Sequence, residues 1–227
     1  MKFHHTAIAV LLIGLFNLTV QADVVKEGAK VGEWTMDFDA AVKLAGEKKL
    51  PMMLNFTGSD WCGWCKLMDK GVFAEEEWKT YASTNAVLVT LDFPKDQSIV
   101  PEKYVERNKK LQAQFGVQGF PTYVVLDSDG KSKLGQLGAG KDKTPSSFIK
   151  EFKGVTRLSA TNMAAYAKAH PDKIDAFKAA IAESKKMNQE LKDWIGTRPQ
   201  QNEENNKKYA DFQERIQKAD AKLAEFE

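Results

Sequence analysis

Hydrophobic positions along this chain follow two rhythms. Up to about residue 154 they form short apolar runs set between amphipathic stretches; beyond it they recur three and four residues apart. In the first part, Met52-Met53-Leu54-Asn55-Phe56-Thr57 and Val87-Leu88-Val89-Thr90-Leu91-Asp92-Phe93 have the length and apolar density of strands buried on both faces. Thr122 to Leu126 reads as a third strand. The turn signal Asp127-Ser128-Asp129-Gly130 lets Lys133 to Leu137 pair back as a hairpin. Residues 23–36 read as an extended lead-in. Asp37 or Asp39 caps a helix to about Lys49, which Pro51 stops. After Gly58-Ser59-Asp60 a helix opens that is expected to bend or restart before Glu75, with Phe73, Trp78 and Tyr81 at core positions. Pro101 starts a helix to about Phe115, closed by Gly116, and Thr144-Pro145 starts another to about Phe152. This order predicts an α/β fold with a mixed central sheet, parallel in its first half and antiparallel in its second.

The second rhythm predicts helices. A short helical piece begins at Thr161. Pro171-Asp172 then starts a longer run whose seam is Ile174, Phe177, Ile181, Ser184, Asn188, Leu191 and Ile195. Gly196-Thr197-Arg198-Pro199 breaks it. A second seam follows through Tyr209, Phe212, Ile216, Ala219, Leu223 and Phe226. Two such seams joined by a short break predict an antiparallel helical hairpin, with Ser184 and Asn188 interrupting the first. Three uses are open to it: packing on the α/β domain, joining two copies of the chain, or docking a partner.

The N-terminal stretch changes the compartment. Lys2 precedes a mostly apolar run from Ala7 to Leu18, and Val20-Gln21-Ala22 offers small residues for cleavage after Ala22. The run is shorter than the ~20 residues a membrane span needs. The expected layout is therefore an export signal over 1–22, an α/β domain over 23–154 and a helical extension over 155–227, in a periplasmic or secreted protein. A formal net charge of +2 over 227 residues gives no electrostatic case for nucleic acid or an anionic membrane surface.

The two cysteines, Cys62 and Cys65, carry the candidate chemistry. They are two residues apart at a predicted helix start, where unpaired N–H groups and the helix dipole favour a thiolate. Export makes a disulfide permissible, yet one tight loop restrains little of the chain. A zinc site needs four ligands, and beyond the signal His170 is the sole histidine, so no metal is expected. The same shortage argues against a Cys–His hydrolase. What remains is dithiol–disulfide exchange with no cofactor beyond the pair itself, or a non-catalytic module that presents a peptide groove.

Trp61-Cys62-Gly63-Trp64-Cys65-Lys66 after a buried strand, Val117-Gln118-Gly119-Phe120-Pro121-Thr122 before the next, and the Asp127–Gly130 turn with Gly138 beyond it together resemble the thioredoxin fold over about Trp34 to Lys153. Phe56-Thr57-Gly58-Ser59-Asp60-Trp61-Cys62 and Leu91-Asp92-Phe93-Pro94 resemble its exported bacterial members in particular. The resemblance implies that Cys62 is the exposed nucleophile and Cys65 the buried resolving thiol. It implies that Pro121 is cis, with the Phe120 backbone pairing to an extended substrate segment, and that Trp61 and Trp64 form an apolar rim. Gly63 and Lys66 are auxiliary.

Two departures stand out. Members of the family carry a buried Asp on the strand before the cysteines, and the position here is Asn55, which cannot act as a base; Lys66 or Asp60 could assist instead. The intervening Gly63-Trp64 lacks the positive charge of oxidising members, which favours a reductant or isomerase over a strong oxidant. Implied partners are proteins with disulfides or thiols, a membrane protein delivering electrons, and a second copy through the C-terminal helices.

Overall fold

The computed structural model describes residues 24–226, so the expected signal over 1–22 lies outside the described residues. The chain divides into two compact units, one ending at Thr156 and one beginning at Arg157.

The first unit is built on a five-stranded sheet in the order β1-β3-β2-β4-β5. Its strands are β1 (Trp34–Thr35), β2 (Met52–Thr57), β3 (Val87–Asp92), β4 (Thr122–Leu126) and β5 (Lys133–Gly138). β1, β3 and β2 run parallel; β4 is antiparallel to β2 and β5 to β4. The mixed sheet is as expected from the pattern. β1 is an addition: the lead-in supplies a two-residue edge strand through Trp34 and Thr35 opposite Leu88 and Val89.

Side chains alternate across this sheet, so each strand feeds two layers. One face carries Met52, Leu54, Phe56, Val87, Val89, Leu91, Val124 and Leu126, covered by α1 (Phe38–Lys48) and α4 (Glu102–Phe115) through Ala41, Ala45 and Leu111. Burying such side chains contributes roughly 1.5–3 kcal/mol each. Asp37 caps α1, its carboxylate accepting from the Ala40 N–H at 3.1 Å.

The opposite face carries Met53, Leu88, Tyr123 and Val125, packed against α3 (Glu76–Asn85), α5 (Pro145–Thr156) and the helix that follows the cysteines. Phe73 sits at the centre, meeting Trp34, Trp78, Tyr123 and Phe148 edge-on at 5.2–5.4 Å. The expected bend before Glu75 is a change of helix type. α2 (Gly63–Met68) passes into a π-helical segment, Asp69–Phe73, closed by the Ala74 N–H donating to the Asp69 carbonyl.

The second unit holds α6 (Ala160–Ala169), α7 (Ile174–Gly196) and α8 (Glu203–Ala224). Pairs Glu183–Lys222, Ser184–Asp220 and Glu190–Arg215 run in opposite directions along α7 and α8, which makes them the antiparallel hairpin expected. Ser184 is buried in the seam because its hydroxyl donates to the Asp220 carboxylate at 2.9 Å. The far end departs from the expected seam: Ile195 and Tyr209 are about half exposed, and Trp194 takes the interior place, against Tyr209 and Phe212. No described helix is long and apolar enough to cross a membrane.

Candidate active site

β2 ends at Thr57, and the chain must turn there to start α2. Asp92, at the end of β3, holds that turn: its carboxylate accepts from the Ser59 N–H at 2.9 Å and the Ser59 hydroxyl at 2.6 Å. Asp60 anchors the other side, accepting from the N–H groups of Lys95 and Asp96, with these backbone bonds keeping its carboxyl below the ordinary range. The Trp61 indole lies over Gly58, where an added Cβ would come within 2.4 Å of the ring. Its N–H donates to the Phe93 carbonyl at 2.8 Å.

Cys62 then falls at the N-cap of α2 and is joined by a disulfide to Cys65. The Cys65 N–H donates to Cys62 Sγ at 3.2 Å, so the first turn of the helix points one of its free donors at this sulfur. Cys62 was expected to be exposed. It is only 5% exposed, against 1% for Cys65, because the closed disulfide draws its sulfur back against that first turn. Cys62 remains the more accessible of the two.

The Phe120–Pro121 peptide bond is cis. Thr122 closes the loop, its hydroxyl donating to the Gly119 carbonyl at 2.8 Å. Phe120 packs edge-on to Trp61 at 5.8 Å and against Phe93 at 5.2 Å, so the proline loop and the cysteine turn share one aromatic wall. Trp61 and Trp64 are 41% and 47% exposed. Leu67, one helical turn from Trp64, is equally exposed and widens the apolar rim. The spacing of Trp64 and Leu67 on α2 was the available signal for it.

Gly63 lies exposed in the first turn of α2. Lys66 is held away from the sulfurs by its ammonium donating to the Asp60 carbonyl at 2.7 Å. Both groups considered as stand-ins for the missing acid, Lys66 and Asp60, are thus engaged in the turn.

Beneath α2 the sheet turns polar. Asn55 faces Tyr123 across β2 and β4, and Thr57 faces Asp92 across β2 and β3. Asn55 Oδ1, Thr57 Oγ1 and the Tyr123 hydroxyl are buried with no hydrogen-bond partner among the described residues. Asp69 was not anticipated. Desolvation, reinforced by the charge of Asp92, pushes its carboxyl up to about 6. Burial, with Asp69 adding, also raises the Tyr123 hydroxyl.

The profile of the thioredoxin-like domain family matches residues 38–151, which is half of the chain and includes every element around the disulfide. The chain belongs to the thioredoxin-like family. Within it, the chain is similar to the disulfide bond reductase DsbH of Chlamydia pneumoniae, 40% identical over 88 residues that cover 39% of this chain and 52% of the relative. It is also similar to the thioredoxin-related protein DsbJ of the same organism, 26% identical over 133 residues, 58% of this chain and 38% of that one. The matches thus span about half or less of these relatives' lengths. A solved structure of DsbH oxidoreductase superposes with a TM-score of 0.51 at 28% identity, covering 62% of this chain and 90% of that one. The thioredoxin-like domain, with its mixed sheet and flanking helices, is therefore common to both.

Proposed function

We propose that this protein is a thiol–disulfide oxidoreductase acting on protein disulfides in the periplasm or another extracytoplasmic space, as a reductant or isomerase. The observation that carries this reading is the Cys62–Cys65 pair at the start of α2, beside the cis-Pro121 loop and under an exposed rim of Trp61, Trp64 and Leu67. In the reduced protein Cys62 attacks a substrate disulfide as the thiolate, expelling one substrate sulfur and forming a mixed disulfide. Cys65 then attacks Cys62 Sγ, closes the pair seen here and releases the second substrate sulfur. Two electrons pass from the dithiol to the substrate, and the two thiol protons leave with the two substrate sulfurs. The Phe120 backbone pairs with an extended substrate segment, and the tryptophan rim takes its apolar side chains.

The direction draws support from the similarity to a protein named disulfide bond reductase and from the lack of a cation between the cysteines. Reduction in such a compartment requires electrons, which a membrane protein supplies. The expected export signal over residues 1–22 supports the location. A second copy binds through α7 and α8, where Ile195 and Tyr209 are exposed; a monomer mass by light scattering would remove that part.

The deciding experiment is insulin reduction followed by turbidity with a thiol reductant. The protein accelerates precipitation, and Cys62→Ser abolishes the acceleration. No acceleration, together with a Cys62 unreactive towards iodoacetamide at neutral pH, would favour the non-catalytic binding module. The reduction potential of the pair fixes direction: near about −270 mV it is a reductant, near about −120 mV an oxidant.

A further inference from the structure

Resting on that reading, we propose that Asp69 is the group that accepts the proton of the Cys65 thiol when Cys65 attacks the mixed disulfide. Asn55 occupies the strand position from which the family's acid would act, and an amide cannot take a proton.

The placement comes from the helix. The Asp69 N–H donates to the Cys65 carbonyl, so Asp69 lies one turn beyond Cys65 on the same side of α2. That side is the inner one: Cys65 and Met68 are 1% exposed and Asp69 is partly buried beside them. The π-helical segment starts at Asp69, and its wider turn sets what faces the sheet from there on.

Three acids surround the cysteine turn, and their partners separate them. Asp92 is occupied by the N–H and hydroxyl of Ser59. Asp60 is occupied by the N–H groups of Lys95 and Asp96. Among the described residues no donor or cation pairs with Asp69. The groups that face it are Asp92 from β3 and Tyr123 from β4. α3 and α5 bring Trp78, Phe148 and Phe152 to this layer, with Tyr81 packed beside Trp78 and Phe152. On its own helix, Lys66 is turned to the Asp60 carbonyl and Lys70 is exposed. Asp69 is thus the acid near Cys65 with its oxygens uncommitted, in a layer where Asn55 Oδ1, Thr57 Oγ1 and the Tyr123 hydroxyl also lack partners. A carboxyl held at about 6 exchanges its proton close to neutral pH, where a general base is most effective.

The step balances. The Asp69 carboxylate takes the Cys65 proton; the Cys65 thiolate forms the bond to Cys62 Sγ as the Cys62–substrate bond breaks. The departing substrate thiolate is then protonated, and Asp69 returns to the carboxylate.

Two readouts test this without depending on insulin. In the full chain carrying Cys62→Ser, Cys65 is the single thiol, and its ionisation is followed by thiolate absorbance at 240 nm. Adding Asp69→Asn lowers the Cys65 midpoint by about one pH unit, because a nearby negative charge is removed; Asp69→Glu does not. In the otherwise wild-type reduced chain, reaction with Ellman's reagent proceeds by a first thionitrobenzoate release at Cys62 and a second as Cys65 resolves the mixed disulfide. Asp69→Asn slows the second release relative to the first by about tenfold at neutral pH and removes its dependence on pH near 6; Asp69→Glu restores both. An unchanged Cys65 midpoint, or a second release with wild-type rate and pH profile, would overturn the assignment. A failed insulin assay counts against the proposed function, whereas these two measurements count for or against Asp69 alone.

Discussion

The two faces of the central sheet are made by the same strands and differ in what they tolerate. On the face under α1 and α4, eight strand side chains from Met52 to Leu126 are apolar and fully buried. On the face under α2, the same strands end in Asn55, Thr57, Thr90 and Asp92, all buried, with Tyr123 beside them. A buried polar atom without a partner costs about 1–3 kcal/mol. Both faces therefore bury an apolar core, but the one under α2 gives up stability at the end where the cysteines sit. The polar groups cluster at the carboxyl ends of the parallel strands β2 and β3, where open α/β sheets place their chemistry.

This contrast can be broken in four places. The largest effect is expected on the apolar face. Leu54→Ala leaves a cavity and costs about 2–5 kcal/mol in urea unfolding, with insulin reduction per folded molecule unchanged. A loss below about 1 kcal/mol would mean that this face is not a close-packed core.

Next is the titration of Asp69. Its carboxyl is held at about 6 in the folded chain, above the ordinary value of 3.8. The folded state keeps a proton that the unfolded state has released. This contribution is complete below the unfolded value and is lost as pH rises through about 6. Between about pH 4 and 7 the oxidised wild type should lose about 2–3 kcal/mol relative to Asp69→Asn, measured as the difference in urea stability of the two proteins. A difference that stays flat with pH, or that grows in the wild type's favour, would contradict the environment described for Asp69.

The third place is Gly58. A Cβ there meets the Trp61 ring, so Gly58→Ala displaces the indole from the Phe93 carbonyl. Insulin reduction should weaken by a few-fold through KM, with a change in Trp fluorescence; an unaltered KM would place Trp61 outside the substrate rim.

The smallest effect is at Asn55. Asn55→Val removes an oxygen with no partner and suits a strand, so thermal and urea stability should rise by about 1 kcal/mol, the low end of that cost. A loss as large as that of Leu54→Ala would show that Asn55 is fully satisfied and that the two faces are alike.

The apolar face was legible in the sequence almost entirely. Its runs in β2, β3 and β4 are dense enough to mark strands buried on both sides, and the helices between them carry their own caps at Asp37 and Gly116. The cysteine pair and the Phe120–Pro121 loop were legible as motifs. Asp69 was not, for a physical reason. Periodicity puts Asp69 four residues after Cys65 on the inner side, but it cannot say that no donor or cation among the described residues meets its carboxyl there. β1 escaped because two residues carry no period. Ile195 was misplaced because a three-four spacing cannot tell which of two neighbouring large side chains, Ile195 or Trp194, closes the end of a hairpin.

The π-helical segment from Asp69 to Phe73 also limits how this helix can be edited. Each residue of an ordinary helix advances the next by about 100° around the axis. Cys65 and Met68 before the segment, and Val72 and Phe73 within it, are all buried on the inner side. A loop absorbs a one-residue insertion or deletion by changing shape. Here the wide turn holds one residue more than an ordinary one, so a single deletion at Lys70 or Gly71 tightens it to an ordinary turn, whereas an insertion adds about 100° and turns the cysteines or Phe73 outward. Length changes in relatives should therefore gather in the Gly58–Asp60 turn and the 94–100 loop and, within this helix, be confined to the loss of one residue from the wide turn.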